Sequence, residues 1–156
     1  MNTKAETIIS EMNVLSSKIE VRKNSSNKQI LEKVINQDCN LKDVSITECH
    51  VISIIANEEQ ANGIRIANKI GMTRSSISKV VANLIKKGLI LSYQDGVNKK
   101  KIFYKLTPLG EIINKIHNEE HKKRNIEMIN EINKYSEKEQ DIILKFIKNL
   151  QEFLNE

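Results

Sequence analysis

The sequence has no tryptophan, a single proline, five glycines and two cysteines in 156 residues. So little Pro and Gly excludes a collagen-like chain and argues against an all-β sandwich, which needs many tight turns. Two cysteines, Cys39 and Cys49, are too few for a disulfide framework and suit a reducing compartment. No apolar run approaches the ~18–20 residues that span a bilayer. The opening stretch MNTKAETIISEMNVL is charged from Lys4 onward and lacks the continuous apolar core of a signal peptide. The expectation is therefore a cytoplasmic protein with no membrane partner. No Gly-rich phosphate loop, nucleophile elbow or paired-carboxylate site stands out, so an enzyme is not expected.

Isoleucine is abundant, with 25 residues, and hydrophobic residues make up 39% of the chain, too many for disorder. The length suits one domain, or a small domain with helical extensions. Charge is distributed unevenly. From Asn62 to Thr107 ten Lys and Arg residues face one acid, Asp95, so this segment carries +9 while the whole chain carries only +5. Such a block is an electrostatic footprint for a polyanion.

Apolar periodicity over residues 5–22 (Ile8, Ile9, Met12, Leu15, Ile19) predicts a helix. The polar run Asn24–Asn27 is expected to break or kink it before Ile30, Leu31, Val34 and Ile35 resume the period. Ser45-Ile46-Thr47-Glu48 reads as a capping box opening a helix through about Asn57. Asn62–Ile70 reads as a short helix stopped at Gly71, and Thr73 caps the next, which carries Ile77, Val80, Val81, Leu84 and Ile85 on one face. Two strands, Leu89–Tyr93 and Lys101–Leu106, flank the turn Asp95-Gly96-Val97-Asn98. Thr107-Pro108 starts a long helix to about Asn133, and Ser136–Glu139 caps a last amphipathic one.

Two helices joined by a Gly turn and followed by a basic hairpin make a winged helix-turn-helix. The fold class expected is mainly α with a small β-hairpin wing. Its regions are an N-terminal helical part at 1–36, a DNA-binding domain at 37–106 and C-terminal helices at 107–156. The second helix would offer Thr73, Arg74, Ser75, Ser76, Ser78 and Lys79 to double-stranded DNA, with Lys99, Lys100 and Lys101 on the wing. His117 and His121, at i and i+4, share a helix face and can ligate one metal. They continue the stripe Ile113–His117–His121–Met128, which is expected to turn inward.

The runs Ile66-Ala67-Asn68-Lys69-Ile70-Gly71-Met72-Thr73, Ile77-Ser78-Lys79-Val80 and Leu84-Ile85-Lys86-Lys87-Gly88-Leu89-Ile90 resemble the MarR family of bacterial regulators. Leu106-Thr107-Pro108-Leu109-Gly110 matches its "LTxxG" ending. The resemblance implies a homodimeric regulator, a repressor by analogy, binding a pseudo-palindromic operator. Ile8, Met12, Leu15 and Ile19 would pair with Ile142, Phe146, Leu150 and Phe153 across the dimer. The wing departs from the family's Asp-Arg-Arg run, having Asn98-Lys99-Lys100 instead, and lysine lacks arginine's planar fork.

Zinc-sensing members of the family are similar in a further respect. The resemblance implies a Zn²⁺ site formed by Glu32, His50, His117 and His121, and a second site at Cys39 in which Cys49 and Ile116 replace the family's glutamates. Alternatives remain open: control by a small organic ligand or by cysteine oxidation, and, from another class, a zinc hydrolase using His117, Glu120 and His121 in an H-x-x-E-H pattern.

Overall fold

Local capping chemistry sets most of the helix boundaries. The structure, a computed structural model, describes residues 3–96 and 100–155. Helix α1 spans Lys4–Gln37 and opens on a capping box between Thr3 and Glu6. It runs unbroken through Asn24–Asn27, where the sequence suggested a kink. Polar residues alone do not end a helix when no Gly or Pro intervenes, and Ile30 and Val34 are held in the core just beyond.

After a single 3-10 turn at Cys39–Leu41, helix α2 (Ile46–Asn57) begins at the expected capping box: Glu48 N–H donates to Ser45 Oγ, and Ser45 N–H to Glu48 Oε2. Helix α3 (Gly63–Ile70) is capped by Asn62, whose side-chain oxygen accepts from the backbone of Ile64 and Arg65. It ends at Gly71 with φ +72°, a left-handed conformation that glycine adopts without cost. Thr73 caps helix α4 (Arg74–Lys86) by accepting from Ser76 N–H. Strands β1 (Ile90–Gln94) and β2 (Ile102–Leu106) pair antiparallel, Ile90 opposite Leu106 and Gln94 opposite Ile102. Helix α5 (Pro108–Ile132) and helix α6 (Glu137–Leu154) follow.

The chain divides into two compact units, Met1–Glu120 and His121–Glu156, with the boundary inside the continuous helix α5. The first unit has a contiguous core drawn from α1, the 3-10 turn, helices α2 to α4, β1 and the start of α5, including Ile30, Ile52, Ile66, Ile77, Leu84, Leu89 and Ile113, with Tyr104 and Leu106 of β2 packed against it. The second contains the rest of α5 and α6. Helix α6 buries none of its residues, and Ile142, Phe146 and Phe153 are exposed. The first half of α1 is equally bare, with Ile8, Leu15 and Ile19 all exposed and Met12 half-buried. The stripe expected to turn inward along α5 does so only at first: Ile113 and His117 are buried, whereas Met128 is exposed. No helix among the described residues is long and apolar enough to cross a membrane.

The base of the wing is fixed to the start of α5. Thr107 N–H donates to Leu89 O (3.1 Å), its hydroxyl donates to Gly88 O (2.7 Å), and the same hydroxyl accepts from Gly110 N–H (3.1 Å). A Cβ at position 110 would lie 2.1 Å from the carbonyl oxygen of Leu89, so only glycine fits. That geometry is the physical content of the Leu-Thr-x-x-Gly run.

Candidate functional site

The N-terminal turn of α4 gathers the expected readers of DNA. The Thr73 hydroxyl donates to Ser76 Oγ (2.9 Å) and lies 3.1 Å from Ser75 Oγ. The Ser78 hydroxyl donates to Arg74 O within the helix (2.9 Å), so its proton is already engaged, and Ser78 is exposed. Arg74 and Lys79 are exposed. A cleft of about 330 Å³ separates α4 from the wing and is lined by Asn62, Gly63, Arg74, Ser78, Lys100 and Lys101. The lining combines three cations with the N-terminus of α3, a lining suited to phosphate. Lys99 lies outside the described residues.

An ion pair ties the end of α4 to α2. Lys87, the C-cap of α4, donates to both carboxylate oxygens of buried Glu48 (2.8 and 2.9 Å) and to Asp43 O (2.7 Å). Nothing in the local sequence pattern signals this link, because its partners are 39 residues apart.

The three histidines converge. His50, in the second turn of α2, and His117 on α5 meet edge to face with ring centroids 5.1 Å apart and planes at 76°. His121 lies one turn further along the same continuous helix, and one ligating atom from each of the three residues lies within 4.8 Å of the others. In tetrahedral zinc sites with bonds of about 2.0–2.1 Å, ligand atoms are about 3.4 Å apart, within reach of small side-chain rotations here. The donor set fits a Zn²⁺ ion. Arg124 Nη2 lies 2.5 Å from His121 Nδ1; arginine can only donate, so Nδ1 accepts in this arrangement.

Glu32, the fourth ligand implied by the resemblance, is not brought to this group. Ile30 and Val34 place one face of α1 in the core, and Glu32, two residues from each, projects from the opposite face. Its side chain is 58% exposed and lies 3.9 Å from Lys28 Nζ. Instead, Lys33 on α1 pairs with Glu120, a buried carboxylate on α5. That pairing also occupies the glutamate of the H-x-x-E-H pattern.

The cysteines separate by environment. Cys39 is exposed at the start of the 3-10 turn, while Cys49 is buried on α2. Burial, reinforced by the neighbouring Glu48 carboxylate, pushes the Cys49 thiol up to about 12. It is therefore protonated at neutral pH and a poor nucleophile or metal ligand. That favours a core thiol over a redox sensor at this position.

A capped helix-turn-helix, a basic hairpin and a cation-lined cleft between them define a DNA-binding winged-helix regulator. The chain belongs to the MarR family, whose model matches residues 44–102. The HTH-type transcriptional regulator PchR of Bacillus subtilis (strain 168) is 32% identical over 131 residues, covering 84% of this chain and 78% of that protein. Two solved structures share the fold. The zinc-responsive MarR family member ZitR of Lactococcus lactis superposes with a TM-score of 0.65 at 23% identity, covering 72% of this chain and 77% of that one. FabT of Streptococcus pneumoniae, in complex with DNA, gives 0.64 at 23% identity, covering 90% and 97%. The chain is thus a transcriptional regulator, of a family whose members bind DNA as dimers.

Proposed function

We propose that this regulator represses transcription from a pseudo-palindromic operator and that zinc, held by His50, His117 and His121, controls its affinity for DNA. The observation that carries the reading is the convergence of the three histidines from two helices onto one small volume. The fold shared with a regulator described as zinc-responsive supports it. Thr73, Arg74, Ser75, Ser76, Ser78 and Lys79 would read base edges and phosphates, and the wing lysines the backbone.

Zinc acts here by population. Ligation ties α2 to α5 and favours one arrangement of the DNA-binding elements, so affinity changes only as far as that arrangement binds DNA better. A coupling of about 1–3 kcal/mol is typical, or roughly 5–150-fold in affinity. Imidazoles must be neutral to ligate, so protons compete with zinc for the site and the zinc effect should weaken in acid. The test is fluorescence anisotropy on double-stranded DNA selected from a random pool with and without zinc. Zinc should tighten binding by the protein, and His121→Ala should abolish that response while leaving the zinc-free affinity unchanged. A variant that keeps the full zinc effect would overturn the reading.

A further inference from the structure

The metal-binding residues that the family resemblance implies and those the fold assembles differ by one carboxylate. We infer that this chain supplies its metal with three imidazoles and no carboxylate, leaving the fourth coordination position to a water or small anion from solution. The inference rests on the zinc reading above and concerns how the ion is held.

The reason lies in the rotational setting of α1. At 3.6 residues per turn, a residue two positions from Ile30 lies about 200° around the helix. Ile30 and Val34 are both fully buried, so α1 cannot turn Glu32 toward the histidines without withdrawing both from the core. Glu32 instead faces solvent beside Lys28. What α1 presents to α5 is Lys33, an ammonium, and it is paired with Glu120, the residue immediately before His121. Among the described residues, the group able to hold a metal consists of the three histidines alone.

Three neutral imidazoles leave the charge of a divalent ion uncompensated. Zinc with three protein ligands keeps a fourth, exchangeable position, and an uncompensated dication favours an anion there. Hydroxide, chloride or a comparable small donor has the right chemistry.

The experiment uses the whole chain loaded with Co²⁺, whose visible bands report coordination directly, with azide as the probe anion. The bands should shift on addition of azide, and Glu32→Gln should leave both the spectrum and the metal affinity unchanged. His121→Ala should lower the affinity by more than the 10–100-fold typical of losing an outer-shell partner. Glu32 is exposed, so its substitution leaves the fold intact. A tenfold or larger loss of affinity in Glu32→Gln, or bands indifferent to azide, would overturn the inference while leaving zinc control standing. Failure of the protein to bind Co²⁺ or Zn²⁺ at all would overturn both. Metal that binds as described but leaves DNA affinity unchanged would remove only the regulatory reading.

Discussion

Removing the ammonium of Lys87 by Lys87→Met should be among the more damaging single changes near the DNA-binding surface, although Lys87 touches no DNA reader. The substitution leaves the Glu48 carboxylate, whose side chain is only 5% exposed, without its cation and takes the third donor from Asp43 O. Breaking a buried pair from one side costs about 3–5 kcal/mol, but Lys87 is itself 25% exposed and water can reach the gap, which brings the expectation to about 2–3 kcal/mol. Glu48→Gln should cost less, about 1 kcal/mol, because the amide oxygen still accepts from Ser45 N–H and Lys87 keeps Asp43 O. Once Glu48 is neutral, Lys87→Met no longer strands a charge. The double variant should therefore be more stable than the sum of the single losses implies, by about 1–2 kcal/mol of coupling. Urea melts followed by circular dichroism, at one fixed protein concentration because the family is dimeric, measure all four corners of the cycle. Additive losses, or a Lys87→Met cost under about 0.5 kcal/mol, would refute the idea that this pair anchors the end of α4.

Gly110→Ala should destabilise the first unit by about 2–4 kcal/mol, since the new methyl meets a backbone carbonyl rather than a side chain that can rotate away; a change in Tm of less than 2 °C would contradict this. Replacing Phe146 and Leu150 by Ser removes apolar area from a helix with no buried residue, and sedimentation should show the dimer weakened at least about 100-fold. A variant that stays dimeric at nanomolar concentration would place the interface elsewhere. Replacing Lys100 and Lys101 by Ala should weaken binding to all DNA sequences and flatten the slope of log K against log salt by about 0.9 per lost phosphate contact, and an unchanged slope would remove the wing from the interface.

The helix-turn-helix was readable because its boundaries are local. Ser45, Asn62, Thr73 and Gly71 each act on groups within a few residues, and all four mark the ends they were expected to mark. Strand limits shifted by one residue, with β1 at Ile90–Gln94 and β2 at Ile102–Leu106. The polar run at Asn24–Asn27 does not end α1, because local preference there is overridden by the burial of Ile30 and Val34 just beyond it. Glu32 misled for a related reason. The resemblance places Glu32 by its position in the chain, whereas the phase of Ile30 and Val34 decides which residues of α1 can reach inward. Glu48–Lys87 and Lys33–Glu120 join residues 39 and 87 positions apart, and no periodicity encodes a pairing across such distances.

The junction at Thr107 is the part of the hairpin that does not tolerate rewriting. One residue separates β2 from α5, and the joint has neither spare hydrogen-bonding groups nor room for a methyl. An insertion there would change the direction of the strand and the helix together. The interval between Gln94 and Ile102 carries Lys99, Lys100 and Lys101, the lysines proposed to meet the phosphate backbone. Exchanging this interval for one of equal length carrying other charges is therefore the economical way to retarget such a regulator. The new wing would inherit its aim from the unaltered joint beneath it.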